Sequence, residues 1–169
     1  MKKNKLQVKL PGFTLIELLV VITIIGILAT IVVVNLNSAR GKGQDTAIKE
    51  QMSQIRSQGA LYYDTQYGYT TGTQATAVAP GNCTSSSFPT GSFFQDTDFQ
   101  RSVTGITRNA ANAPTCYLGG NTTGKSQSWA MLAKMRLGAY WCVDSIGNSN
   151  EIAASSLTAS SLEYSCPAS

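Results

Sequence analysis

Few residues in this chain are of a type and spacing that could do chemistry. Histidine is absent, which removes the commonest general base and the commonest zinc ligand. The four cysteines, Cys83, Cys116, Cys142 and Cys166, form no Cys-x-x-Cys pair. No paired carboxylates, nucleophile–base arrangement or phosphate-binding loop is present, so the sequence supports no enzyme activity, no cofactor and no metal. Two features still call for a chemical partner. Even-numbered, widely spaced cysteines read as two disulfides in an oxidising compartment. A single carboxylate, Glu17, stands inside the otherwise uncharged run from Phe13 to Val34, where an ionised group is expensive unless it is paired.

Weaker constellations have bland readings that weigh more. Asp144, Asn148, Asn150 and Glu151 gather oxygen atoms that suit calcium, but their spacing is not that of an EF-hand loop, and a hairpin turn is the better reading. Trp129, Tyr140 and Trp141 form an aromatic platform or, in alternating strands, core and cross-strand pairs. The Asn82-Cys83-Thr84 and Asn121-Thr122-Thr123 triplets fit the glycosylation pattern, which is short and common by chance.

The element that positions Glu17 is the apolar run itself. A hydrocarbon core of ~30 Å needs about 20 apolar residues in a helix, and Phe13–Val34 meets that length. Its threonines, Thr14, Thr23 and Thr30, are tolerated because a helical hydroxyl can return to a carbonyl of the preceding turn. Lys2, Lys3, Lys5 and Lys9 precede the run, and only Arg40 and Lys42 follow closely. The lysine excess places the N-terminus in the cytoplasm and everything beyond Val34 outside. A secretory signal peptide has a shorter apolar core followed by a small-x-small cleavage site. Ile27-Leu28-Ala29 is a poor version of that, and there is no lipobox cysteine. The small, breakable position lies before the run, at Gly12.

A short basic leader, Gly12, Phe13 and then Thr14-Leu15-Ile16-Glu17-Leu18 resemble the N-terminus of type IV pilins and pseudopilins. The resemblance covers residues 1 to about 63. It implies cleavage between Gly12 and Phe13 by a prepilin peptidase and methylation of the new Phe13 amine. It also implies that Glu17 pairs with the Phe13 amine of a neighbouring subunit during assembly. One departure is Val34, where many Gram-negative members carry a proline; Gly26 matches a common helix-loosening glycine.

Removal of the leader changes the charge argument. The whole chain of 169 residues has 13 basic and 9 acidic side chains, a formal net charge of +4. Four of the basic residues are leader lysines, so the mature chain is balanced, and nucleic acid as a partner is not supported by its charge.

Beyond the apolar run, Asn35–Ser38 and Gly41-Lys42-Gly43 are poor helix formers and predict a frayed or kinked join, with Asp45 capping a second helical run. Ile48, Met52, Ile55, Gly59 and Tyr62 then make one apolar stripe over residues 45–63. That stripe buries against the chain's own sheet, leaving Lys49, Gln51, Gln54 and Gln58 as candidates for contact with a neighbour. Residues 64–126 read as a variable loop region, pinned by Phe88, Phe93, Phe94 and Phe99, with a short helix from Asp96 to Val103. An antiparallel meander follows: Ser128–Met135, Ala139–Asp144 and a short strand near Glu151-Ile152. The tail from Ser155 reads as loose until Cys166. Four cysteines allow three pairings; Cys142–Cys166 tying the tail to a strand, with Cys83–Cys116 closing the loop, is the favoured one.

The expected fold is therefore α+β, type IV pilin-like: a long N-terminal helix packed on a small antiparallel sheet. The expected divisions are leader 1–12, membrane half 13–34, amphipathic half 35–63, variable loop 64–126, and sheet with disulfide-tied tail 127–169. The expected function is structural: a single-pass membrane subunit that stacks into a surface filament. Its partners are copies of itself, the prepilin peptidase, the assembly machinery and, before assembly, membrane lipid. The alternatives are a pseudopilin of a secretion or DNA-uptake system and a membrane-tethered adhesin or receptor.

Overall fold

The first helix, α1, runs from Leu15 to Gln66 in a computed structural model of the chain. The structure describes residues 12–72, 78–83, 88–120, 124–153, 157, 159–160 and 163–167. The leader before Gly12 and the Asn121 triplet lie outside that set. Contacts divide the chain into two units, Met1–Ala39 and Arg40–Ser169.

In the first unit, α1 is apolar on every side, and its large side chains from Leu15 to Leu36 are all exposed. It is long and apolar enough to cross a membrane. Thr23 donates its hydroxyl to the Val20 carbonyl at 2.8 Å, and Thr30 donates to Ile27 at 2.8 Å. The threonines thus add no unsatisfied donor to the apolar surface.

The join differs from expectation. Helix continues unbroken through Asn35–Gly43, and Asp45 starts nothing. Extending a helix that already exists on both sides needs no new nucleus, so weak local propensity is outvoted. Asp45 faces inward instead. Its carboxylate accepts the backbone N–H of Arg136 at 2.6 Å and of Leu137 at 3.3 Å, fixing a turn of the sheet against α1. At the other end α1 extends to Gln66, where the Lys125 ammonium donates to the Gln66 carbonyl and Tyr67 takes a left-handed φ of 55°. A left-handed residue just past the last turn is a usual helix stop.

In the second unit the α1 stripe is buried through Ile48, Met52, Ile55 and Gly59. Of the four flanking residues expected to meet a neighbour, three are occupied within the chain. Lys49 pairs with Glu151 at 3.5 Å and lies 4.4 Å over the Trp141 ring. Gln51 lies under Gly105, where an added Cβ would stand 2.7 Å from its amide nitrogen. Gln58 accepts from the Ser102 hydroxyl at 3.4 Å. Only Gln54 remains exposed.

The region read as loop holds more structure than the sequence suggested. A second helix, α2 (Thr97–Asn109), begins at the Asp96 cap, whose carboxylate accepts the N–H of Asp98 and Phe99. It outruns the expected end at Val103 because Phe99, Val103 and Ile106 continue one buried stripe. Strands β1 (Val78–Asn82) and β2 (Thr115–Leu118) also lie here. They join β3 (Trp129–Lys134), β4 (Tyr140–Asp144) and β5 (Ser149–Ile152) in a five-stranded antiparallel sheet of order β1-β2-β3-β4-β5. Pro80 sits in the edge strand β1, where a missing N–H costs no ladder bond in the sheet interior.

Both faces of the sheet are covered. Trp129, Met131 and Ala133 face α1 and an aromatic cluster in which Phe93 lies 5.4 Å from Trp129 and 4.9 Å from Phe99. The Tyr62 phenol, raised above its ordinary range by burial and then by the Asp96 charge, stays protonated and donates to the Gly91 carbonyl at 2.7 Å. Ala130 and Leu132 face the opposite way, against Leu157, Tyr164 and Cys166. The tail expected to be loose thus supplies the second layer. Its described part includes a small hairpin of β6 (Ala159–Ser160) and β7 (Glu163–Tyr164). Disulfides join Cys83 to Cys116 and Cys142 to Cys166, and all four cysteines are buried.

Two outcomes follow for stability, each measured by urea unfolding of the chain in detergent with near-ultraviolet circular dichroism. Replacing Cys142 and Cys166 by Ser should cost about 3 kcal/mol, the loop-closure value for a separation of 24 residues. Asp45→Ala should cost roughly 2–3 kcal/mol, because it strands two N–H groups on the β3–β4 turn; Asp45→Asn, which keeps one acceptor, should cost less.

Candidate functional site

The N-terminal end of α1 brings Glu17 to the Gly12–Phe13 bond. Gly12 is exposed with open space around it, and Phe13 is 77% exposed. Thr14 is the last residue before the helix. Its hydroxyl accepts the Glu17 N–H at 3.3 Å, while the Glu17 carboxylate accepts the Thr14 N–H at 2.9 Å and the Thr14 hydroxyl at 2.6 Å. This is a reciprocal capping box, built by the spacing Thr14-Leu15-Ile16-Glu17. Sequence reasoning missed it, although the T-x-x-E signal stands openly in the sequence.

The box fixes where the carboxylate points. Glu17 reaches back along the helix to the N–H of Thr14, one residue beyond the Gly12–Phe13 bond. The unsatisfied N–H groups of the first helical turn carry partial positive charge, which favours a carboxylate at this end. An amine created on Phe13 would add a full positive charge next to the same group. The arrangement can therefore hold one cation at the helix start, with Phe13, Ile16, Val20 and Val21 forming an apolar surround.

The other sequence-derived sites have structural roles. The cysteines are consumed in the two disulfides. Asp144 is fully buried, and its oxygens accept the N–H of Ile146, Asn148 and Cys166 together with the Asn148 amide. That carboxylate organises the β4–β5 turn and anchors the tail. Among the described residues, no group of three or more His, Cys, Asp or Glu is placed to hold a metal. The aromatic platform dissolves into packing: Trp129 is buried in the core, and Trp141 lies half-buried beneath Lys49.

Comparison with known proteins bears on the same end of the chain. Residues 11–33 match a family model described as the prokaryotic N-terminal methylation motif. Over 70 residues the chain is 39% identical to the type IV wide pilus major component PilA4 of Thermus thermophilus, covering 41% of this chain and 53% of that protein. The chain thus spans about half the length of the curated relative it matches. No solved structure matches the chain. A methylation motif over the start of an all-round apolar helix, a type IV pilus component as relative, and a long helix with a five-stranded antiparallel sheet all support a likeness to the type IV pilin family.

Proposed function

We propose that this chain is a pilin, the structural subunit of a type IV pilus-like filament, cut between Gly12 and Phe13 and assembled through α1. The observation that carries the reading is the exposed apolar surface of α1 from Leu15 to Leu36, which none of the described residues covers. Two environments can cover it: a bilayer while the subunit waits, and the same helix of other subunits once it is assembled. The name of the relative, a major pilus component, favours a pilin over a pseudopilin.

Processing supplies the cation that Glu17 lacks. Cleavage leaves an ammonium on Phe13 at the edge of an apolar medium, where charges alone are poorly solvated. A neighbour displaced along the helix axis sets its Phe13 amine beside Glu17, and each charge then satisfies the other. The capping box orients the carboxylate for this in advance.

Mass spectrometry of the filament or membrane form should give a mature chain beginning at Phe13, with its amine methylated; retention of residues 1–12, or a cut after Ala29, contradicts the reading. A second outcome separates charge from cap. Glu17→Gln keeps an acceptor for the Thr14 N–H but removes the charge. It should insert and be cleaved largely as the parent is, yet fail to enter filaments, as should Glu17→Ala. If Glu17→Gln assembles normally while Glu17→Ala does not, the carboxylate acts as a helix cap and the pairing with Phe13 is wrong.

A further inference from the structure

The Arg40–Ser169 unit is electrically lopsided in a way that its balanced composition conceals. α1 enters this unit at Arg40 and Lys42, both exposed. The β3–β4 turn lies against the same stretch: Asp45 holds Arg136 and Leu137 by their N–H groups, and Leu137 lies within van der Waals reach of Gly41. The end of α2 arrives there too, because Arg136 donates its Nε to the Asn109 carbonyl at 2.8 Å, and the Ala111 N–H bonds the Lys134 carbonyl. Arg40, Lys42, Arg108, Lys134 and Arg136 thus gather at one end. The acids nearby are committed: Asp45 is buried and accepts two N–H bonds, and Glu151 pairs with Lys49. Glu50 stands two turns further along α1. The opposite end is mixed: Asp64, Asp96 and Asp98 stand there with Arg101, bound to Asp98 at 2.8 Å, and Lys125, whose ammonium meets the Gln66 carbonyl. Arg40 and Asp64 are separated by roughly 36 Å of helix.

Chain length fixes what the basic end can reach. Five residues lie between Val34, the end of the uncharged run, and Arg40, a span of at most about 22 Å even if fully extended. Headgroups occupy roughly 5–8 Å on each side of the hydrocarbon. In the middle of the basic group, Leu137 is 61% exposed at the tip of its turn. An exposed apolar side chain next to Arg136 in the chain and beside Lys42, tethered this close to a bilayer, has the composition of an interfacial contact.

We propose that, before assembly, the β3–β4 turn and its surrounding basic residues dock on anionic phospholipid headgroups, with Leu137 as the apolar contact. This rests on the reading of Phe13–Val34 as a membrane anchor. The docking holds the subunit's basic end down and presents the opposite, mixed-charge end away from the membrane. Attraction of this kind is screened over about 10 Å at 0.1 M salt, so it releases readily when the subunit is drawn into a filament.

The test uses the full chain with benzoylphenylalanine in place of Leu137, reconstituted in phosphatidylcholine vesicles with or without phosphatidylglycerol at about one third of the lipid. After irradiation, mass spectrometry counts lipid adducts and chain-to-chain adducts. The proposal expects roughly five- to tenfold more lipid adduct in the anionic vesicles. It also expects the excess to vanish at high salt and in the Arg40→Gln, Lys42→Gln, Arg108→Gln variant. The salt series on the unsubstituted basic residues decides the matter even if the triple variant misfolds. Equal lipid adduct in both vesicles overturns the proposal. So does a chain-to-chain adduct that grows with protein density, which assigns the patch to a second copy. Proteolysis of the same vesicles separates the two readings: a protected Phe13–Val34 fragment with no anionic preference sinks only the docking, whereas no protected fragment sinks the anchor and the docking with it.

Discussion

A helix that is apolar on all sides has to be covered by something other than water, and none of the described residues covers residues 15–36. Burying a large aliphatic side chain is worth about 1.5–3 kcal/mol, and more than a dozen of them line this stretch. Hydrocarbon and a bundle of like helices are nearly equal in apolarity, so passage from one to the other carries little hydrophobic gain or loss. On the proposed reading, packing and the few polar groups would therefore decide whether a subunit stays in the bilayer or enters a filament. That is why one carboxylate in twenty-odd apolar residues matters so much, and why its orientation by Thr14 is more than local housekeeping.

The same helix serves a different solvent after Arg40, and the change is made without a break. Past that point one stripe is buried and the remainder is wet or occupied by polar groups of the chain itself. Asp45 marks the changeover. In a helix standing alone it would favour a cap, but the sheet offers it two N–H donors from one tight turn, which satisfy the carboxylate better than a helix start would. The head then closes as two layers against one sheet, with α1, α2 and the phenylalanines on one face and the tail on the other. The disulfides reinforce both layers, since one lies at β2 and the other joins β4 to the tail.

Long-period patterns were legible in the sequence and short or two-sided ones were not. The apolar run, the stripe from Ile48 to Tyr62 and strands β3 and β4 stood out because each repeats a spacing over several turns or alternates several times. Strand β2 is four residues long and buried on both faces, so it alternates in nothing that a reader could count. Helix α2 was read only as far as Val103, because Thr104 and Arg108 dilute the stripe of Phe99 and Val103 that Ile106 continues. Weak propensity at Asn35–Gly43 misled in the other direction, since a helix fed from both sides tolerates residues that could never have started it. At the candidate site, the carboxylate and the cut were legible as chemistry, whereas the bond from Glu17 back to Thr14 went unread.

Net charge is the quantity that hid the most. Nine basic and nine acidic side chains from Phe13 onward suggest a surface without electrostatic preference. Folding sorts them: two acids are buried and bonded within the chain, one is paired with Lys49, and five basic residues come together where α1 enters the head. Attraction to a surface depends on charge within about a Debye length of it, not on the sum over a molecule. A neutral subunit with a basic foot is attracted to an anionic bilayer at one end only. In the proposed filament the same neutrality would keep subunits from repelling one another when packed side by side. On the proposed reading, a uniformly basic head would hold the membrane more strongly but oppose assembly, and segregation of charge at zero net charge would meet both demands.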